Sequence, residues 1–288
     1  MRCVTTMICL VLLAVAGVPG MLRAALAVAS SPSFGGNVYA REFDALRRAY
    51  PSLEFAVAEE RDGMYLVTSD ARVFFGPLGG CPEPPHPDSP GDAPLCASFA
   101  QGYPAGAGHR NPARGFEPGR VRNEAFLKLL YGQDAREVEE SLRDVGFLGE
   151  KQRFSTRHGA ADALERVAGK LEALVREKPG SKAYVLPAGG TYAWRKISKS
   201  PRLSAHSFGI CIDLNIEKGI YWQWKPSAEA EKEAREKYPQ EIVDIFEAEG
   251  FIWGGKWHSF DFMHFEYRPE LLELGKDQAE QFAFDSIY

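Results

Sequence analysis

The stretch Leu203-Ser204-Ala205-His206-Ser207-Phe208-Gly209-Ile210-Cys211-Ile212-Asp213-Leu214-Asn215 sets a histidine and an aspartate seven residues apart around a glycine. On an unbroken strand an odd separation points two side chains to opposite faces. Gly209 removes the conflict, because a residue without a Cβ lets the chain bend where His206 leaves a loop and the run through Asp213 becomes a strand. A second stretch, Asp261-Phe262-Met263-His264-Phe265-Glu266, again joins a histidine to carboxylates. Two histidines and one aspartate make a three-ligand zinc site with one position open, the arrangement of catalytic zinc. A carboxylate left off the metal can then take a proton from an attacking water. Asp261 and Glu266 both qualify on chemistry, and spacing does not choose between them.

Outward from these stretches, the pattern is helices first and short strands later. Apolar spacing predicts helices over Val38–Tyr50, Val121–Tyr131, Ala135–Val145 and Gly159–Glu177; in the last, Ala163, Leu164, Val167, Leu171, Leu174 and Val175 recur at helical intervals. Met64–Val67 and Val73–Phe75 flank a turn and predict a β-hairpin. Pro77–Pro118 is dense in proline and glycine and is expected to be a long surface loop. Ala183–Leu186 and Gly209–Leu214 are expected to be buried strands, Ser227–Tyr238 a solvated helix, and Glu241–Glu249 an amphipathic helix closed by Gly250. Phe251–Trp253 and Phe262–Tyr267 complete the set as strands. Without regular βαβ alternation, this order argues for α+β and against a doubly wound sheet. Neither standard glycine-rich phosphate loop is present, so a nucleotide cofactor has no support.

The chain has 288 residues, a formal net charge of -5 and 45% hydrophobic residues, a composition that excludes disorder and gives no basic footprint for nucleic acid. Arg2, the apolar run Met7–Val18 and the small residues around Ala25–Ala29 are the parts of a secretory signal, so residues 1–29 are expected to be removed on export. Gly17, Pro19, Gly20 and Arg23 interrupt that run well short of the roughly 20 residues that span a bilayer, and no later segment is long and apolar enough to span one. An exported protein meets an oxidising compartment, where Cys81 and Cys96, at the two ends of the proline-rich loop, are natural disulfide partners. Cys211, inside Ile210-Cys211-Ile212, is expected to be a small buried hydrophobe.

The stretches L-S-A-H-S-F-G-I-C-I-D-L-N (203–215) and W-G-G-K-W-H-S-F-D-F-M-H-F-E-Y-R-P-E-L (253–271) resemble the D-alanyl-D-alanine carboxypeptidase family of zinc peptidases, which also holds the L-alanyl-D-glutamate endopeptidases. The family pattern is S-x-H-x-x-G-x-A-x-D, followed by an acid three residues before a second histidine. Cys211 stands where the family has alanine. The resemblance implies the Hedgehog/DD-peptidase-like fold, a small antiparallel sheet with helices, one Zn2+ held by His206, Asp213 and His264, and Asp261 as general base. It also implies an arginine upstream that stabilises the reacting carbonyl oxygen, for which Arg195 is the first choice, and a substrate side that includes Ser204, Trp257 and Glu266. Pro118-Gly119-Arg120-Val121-Arg122 is similar to the mostly helical N-terminal extension of one secreted subgroup. The expected organisation is therefore a signal at 1–29, an extension at 30–155 and a zinc peptidase domain at 156–288. The implied substrates are peptidoglycan stem peptides met in the periplasm or outside the cell. Two other readings stay open: a non-catalytic wall-peptide binder that keeps the fold, and metal-assisted hydrolysis of another amide or ester.

Overall fold

Helix α4, Ala160–Glu177, shows how the sequence builds the core: Ala163, Leu164, Val167, Leu171 and Leu174 fall on one buried stripe. That stripe packs on strands β4, Leu142–Phe147, and β5, Glu150–Ser155, and on helix α7, Gln240–Ala248. The computed structural model describes residues 37–86, 93–108, 110–198 and 200–276, which belong to one compact unit. The expected export signal, residues 1–29, lies outside the described residues. Among those described, no helix is long and apolar enough to cross a membrane.

The amino-terminal part opens with α1, Ala40–Ala49, followed by an antiparallel sheet of β1, Ala56–Glu60, β2, Gly63–Val67, and β3, Arg72–Gly76. The expected hairpin is β2–β3; β1 is an additional edge strand whose polar Glu59 and Glu60 hid it from an apolar pattern. The following loop carries a 3-10 turn at Leu95–Ser98, and the Cys81–Cys96 disulfide ties it down. Asn123 caps α2, Glu124–Tyr131, by accepting from the Phe126 N–H at 2.7 Å. Asp134 does the same for α3, Ala135–Glu140.

Two expectations are corrected here. The helix expected over Ala135–Val145 stops at Glu140, and Leu142–Phe147 pairs with Glu150–Ser155 as an antiparallel hairpin. Its two turn residues, Leu148 at φ 47° and Gly149 at φ 91°, both take positive φ as a type I′ turn requires. Leucine is an unusual first residue for that turn, so the usual sequence signal was absent. Ala183–Leu186, expected as a strand, belongs instead to the short helix α5, Lys182–Val185, with Leu186 extended ahead of Pro187. Four apolar residues fit a buried strand and a single helical turn equally well.

The carboxyl-terminal half holds β6, Cys211–Asp213, then α6, Ala228–Lys237, α7, β7, Phe251–Trp253, and β8, His264–Tyr267. The three strands form an antiparallel sheet in the order β6-β8-β7. The three separate small antiparallel sheets and the helices packed on them make this an α+β fold, as the sequence predicts. Phe246 of α7 stacks on Phe265 of β8 at 4.0 Å between centroids, and Phe251 meets Phe154 of β5 at 6.0 Å. Each fully buried phenylalanine of this layer contributes about 1.5–3 kcal/mol by leaving water, which holds β8 and its histidine against the helices.

Candidate metal and active site

His206 sits in a 3-10 turn, Ala205–Phe208, opened by Ser204, whose hydroxyl accepts from the His206 N–H at 3.4 Å. Gly209 ends the turn at φ 64°, in the left-handed region, and a Cβ there would lie 2.5 Å from Leu142. The bend expected at this glycine is present, and the chain runs on into β6. Asp213, the last residue of β6, pairs in register with His264, the first of β8. Asp261 precedes β8 in a turn closed by the His264 N–H on the Asp261 carbonyl at 3.3 Å. That turn needs Gly254: a Cβ there would lie 2.5 Å from the Asp261 carbonyl oxygen.

The result is a convergence of donor atoms. His206 Nε2 lies 3.3 Å from Asp213 Oδ2, and His264 Nδ1 lies 3.0 Å from Asp213 Oδ1. Ligands about 2.0–2.1 Å from a tetrahedral ion are about 3.3 Å apart, so each of these two pairs has the spacing that a shared zinc would give. Each imidazole is aimed by its other nitrogen. His206 Nδ1 is 2.6 Å from the Thr191 carbonyl, which can only accept, so Nδ1 carries a proton and Nε2 is the nitrogen turned toward Asp213. His264 Nε2 is 3.4 Å from the Glu266 carboxylate, which leaves Nδ1 facing Asp213.

Glu266 is fully buried beneath this layer, and it is the one expected substrate-side residue that the structure puts elsewhere. Arg122 donates from Nε and Nη2 to its two oxygens at 2.5–2.9 Å, and Arg268 Nη1 donates at 3.2 Å. A strand alternation carried Glu266 to the same face as His264, but that face at Glu266 is covered by arginines rather than open to solvent. Burial alone would raise its carboxyl; Arg122, His264 and Arg268 override this and hold it well below the usual range. Burial likewise works against ionised Asp213, and the two imidazoles beside it hold its carboxyl well below the usual range.

His206, Asp213, Asp261, His264, Ser204, Trp257 and Arg195 all line one cavity of about 250 Å³. Asp261 is half-buried, with its Oδ1 enclosed and lacking a hydrogen-bond partner, and desolvation pushes its carboxyl up to about 6. Trp257 lies with its ring 5.7 Å from that of His264 and anchors its indole N–H on the Pro118 carbonyl at 2.8 Å. Arg195 has an exposed side chain, while its main chain is braced by Ser204 and Ser207 at 2.9–3.0 Å.

Cys211 is also near. Ligand atoms of His206, Cys211 and His264 all lie within 4.8 Å of one another, so this buried group too could hold a metal. Cys211 is paired in register with Glu266, two residues before Asp213 on β6. Burial and the Glu266 charge push its thiol up to about 11, which disfavours the thiolate a metal requires.

Among the lining residues that sequence reasoning missed are Arg120 and Arg122, which reach the cavity from the amino-terminal part of the chain. No periodic pattern marks them, because the segment is a turn and bend rather than a strand, with Val121 between them packed against Ala93 and Ala97.

No curated protein and no solved structure matches the chain. Residues 198–267 match the family model described as D-alanyl-D-alanine carboxypeptidase, a family of zinc peptidases, and that segment contains His206, Asp213, Asp261 and His264.

Proposed function

We propose that the protein is an exported zinc peptidase that hydrolyses peptide bonds in peptidoglycan stem peptides, with His206, Asp213 and His264 holding one Zn2+ and Asp261 acting as general base. The observation that carries this reading is the pair of imidazoles aimed at Asp213 from two sides, with Asp261 lining the same cavity. Asp213 is preferred to Cys211 because both of its oxygens sit 3.0–3.3 Å from an imidazole nitrogen, whereas Cys211 is paired in register with the buried Glu266.

Bound zinc supplies a Lewis acid that polarises the scissile carbonyl and eases deprotonation of water. The rest falls to the side chains. Thr191 and Glu266 fix the two histidine tautomers. Asp261 receives the proton of the attacking water and can return it to the leaving amine, a role suited to a carboxyl raised towards neutrality by burial. Arg195 is the candidate for the oxygen that gains negative charge.

The test is mass spectrometry of products from stem peptides of defined length, with zinc-loaded wild type and Asp261→Asn side by side. The expected outcome is zinc-dependent cleavage that falls by roughly 10²-fold or more in the variant, the scale of a general acid–base group, while bound zinc is retained. Absence of cleavage by the zinc-loaded protein, or a variant as fast as wild type, would overturn the assignment; a peptide binder would be indifferent to this change.

A further inference from the structure

Behind β8, the sequence His264-Phe265-Glu266-Tyr267-Arg268-Pro269-Glu270 puts two carboxylates and a guanidinium where water does not reach. Glu266 and Glu270 are fully buried, and so, nearly, are Arg268 and Tyr50, the residue that ends α1. Burying charges is costly unless each finds a partner. Here a chain of partners runs from α1 to the proposed ligand. Tyr50 donates its hydroxyl to Glu270 Oε2 at 2.6 Å, and Glu270 Oε1 accepts from Arg268 Nε at 2.5 Å. Arg268 Nη1 then donates to Glu266 Oε1 at 3.2 Å, and Glu266 Oε2 faces His264 Nε2 at 3.4 Å.

The chain is held at both ends. The Tyr50 ring meets Phe126 and His158 edge-on, at 6.2 and 5.3 Å between centroids. At Glu266, Arg122 adds a second guanidinium, so two carboxylates meet two cations and the buried charges balance. Arg122 fixes where the Glu266 carboxylate sits. Arg268, arriving at Oε1, fixes how it is turned and therefore how Oε2 meets the imidazole. Buried networks in which every member is satisfied are rigid in this way. Tyr50, Arg268 and Glu270 all lie outside residues 198–267, the segment that matches the family model, and reach the site from beyond it.

We infer that Tyr50, Glu270 and Arg268 are positioning residues for the metal site: through Glu266 they hold the His264 imidazole with Nδ1 towards Asp213, and they tie α1 of the amino-terminal part to zinc affinity. The inference rests on the proposed ligand set and asks none of the three to touch metal or substrate.

The test is competitive zinc titration against a chromophoric chelator, with the full chain and three variants. Loss of a group directly behind a metal ligand commonly weakens binding by about 10- to 100-fold. Glu270→Gln leaves an acceptor for Tyr50 but removes the charge that holds Arg268, and is expected at about 10-fold. Tyr50→Phe deletes one oxygen, one bond further from the ligand, and is expected at roughly 3- to 10-fold. Tyr103→Phe is the matched control: Tyr103 is similarly buried and donates to buried Glu247 at 2.6 Å, but Glu247 is bonded to Lys256 and Gly106 rather than to Glu266. It should cost similar stability in urea and leave zinc affinity unchanged. Equal affinity in wild type and Tyr50→Phe, or equal weakening by Tyr50→Phe and Tyr103→Phe, overturns the proposal.

A second readout needs no metal. In the metal-free full chain the His264 Nε2 proton, held on buried Glu266, is expected as a slowly exchanging imidazole signal in proton–nitrogen NMR spectra. Tyr50→Phe should speed its exchange, and Tyr103→Phe should not. Absence of that signal in the unaltered protein overturns the proposal even if the variants fail to fold. If the unaltered protein takes up no zinc, the ligand set of the peptidase reading fails instead, and the exchange comparison alone decides: equal rates in the two tyrosine variants overturn the positioning chain.

Discussion

The two walls of the cavity are built on different scales. The wall from Ser204 to His264 is assembled locally: a capped turn, a left-handed glycine and two antiparallel strands bring His206, Asp213 and His264 together through adjacent ladder positions. The opposite wall comes from Glu117–Arg122 and reaches the site only through contacts across more than a hundred residues of chain, Arg122 to Glu266 and Trp257 to the Pro118 carbonyl among them. The first wall sets what chemistry is available, because its groups are the proposed metal donors and the proposed base. The second supplies the positive charge that holds Glu266 ionised and thereby aims His264. A ligand set can thus be local while its alignment is a property of the whole fold.

The largest effect that would break this comparison lies in the local wall. His206→Ala and Asp213→Ala each remove one of three proposed ligands, so both are expected to lose most bound zinc and with it nearly all hydrolysis. Metal analysis after dialysis checks it. Full zinc retention in both variants would refute the ligand set, and Cys211→Ala then becomes the informative variant, since the thiol lies within 4.8 Å of both histidine ligand atoms.

The next effect sharpens it from the distant wall. The Arg122 side chain is 11% exposed and that of its partner Glu266 is fully buried, and removing one member of a buried pair commonly costs about 3–5 kcal/mol. Arg268 remains on Glu266, so Arg122→Leu is expected near 3 kcal/mol in urea unfolding. It should also weaken zinc binding by about 10- to 100-fold, as loss of a partner behind a metal ligand does. Because Glu266 is held below its ordinary value, the contribution is fully present at neutral pH and is lost as pH falls through the depressed value. Arg143→Ala is the control: its pair with Asp162 and Glu165 is exposed and should be worth no more than about 1 kcal/mol.

The same contrast explains what was legible in the sequence. His206, Asp213, Asp261 and His264 announce themselves by spacing around a glycine and a turn, so the residues around the donor cluster were readable before the fold was known. The long helix Ala160–Glu177 was equally plain, because its stripe repeats over five turns. Leu142–Phe147 was misread as helix because its strand shows only alternate burial beside a Leu-Gly turn. Glu266 was expected on the substrate side, but whether a strand residue ends at the cavity or on Arg122 depends on a loop 144 residues away. Arg120 was invisible as a site residue for the same reason.

The smallest expected effect concerns how the distant wall is braced. Cys81 and Cys96 are joined, and Cys81 packs against the cluster of Ala93, Ala97 and Val121, the residue between the two cavity arginines. Closing a loop with a separation of 15 residues stabilises by about 3 kcal/mol in the chain-entropy model, and strain or residual structure commonly reduces that figure. Cys81→Ser with Cys96→Ser is therefore expected to lower the urea midpoint by less than Arg122→Leu while leaving zinc content unchanged, because the bridge touches no donor. Alkylation followed by intact-mass measurement gives an independent reading. Of Cys81, Cys96 and Cys211, none should label in the native oxidised protein, since two are bridged and the third is buried with its thiol pushed up to about 11. One should label after unfolding, and all three after unfolding with reductant. Zinc loss in the double serine variant would mean that the disulfide loop positions the metal site after all, and that the two walls are one mechanical unit.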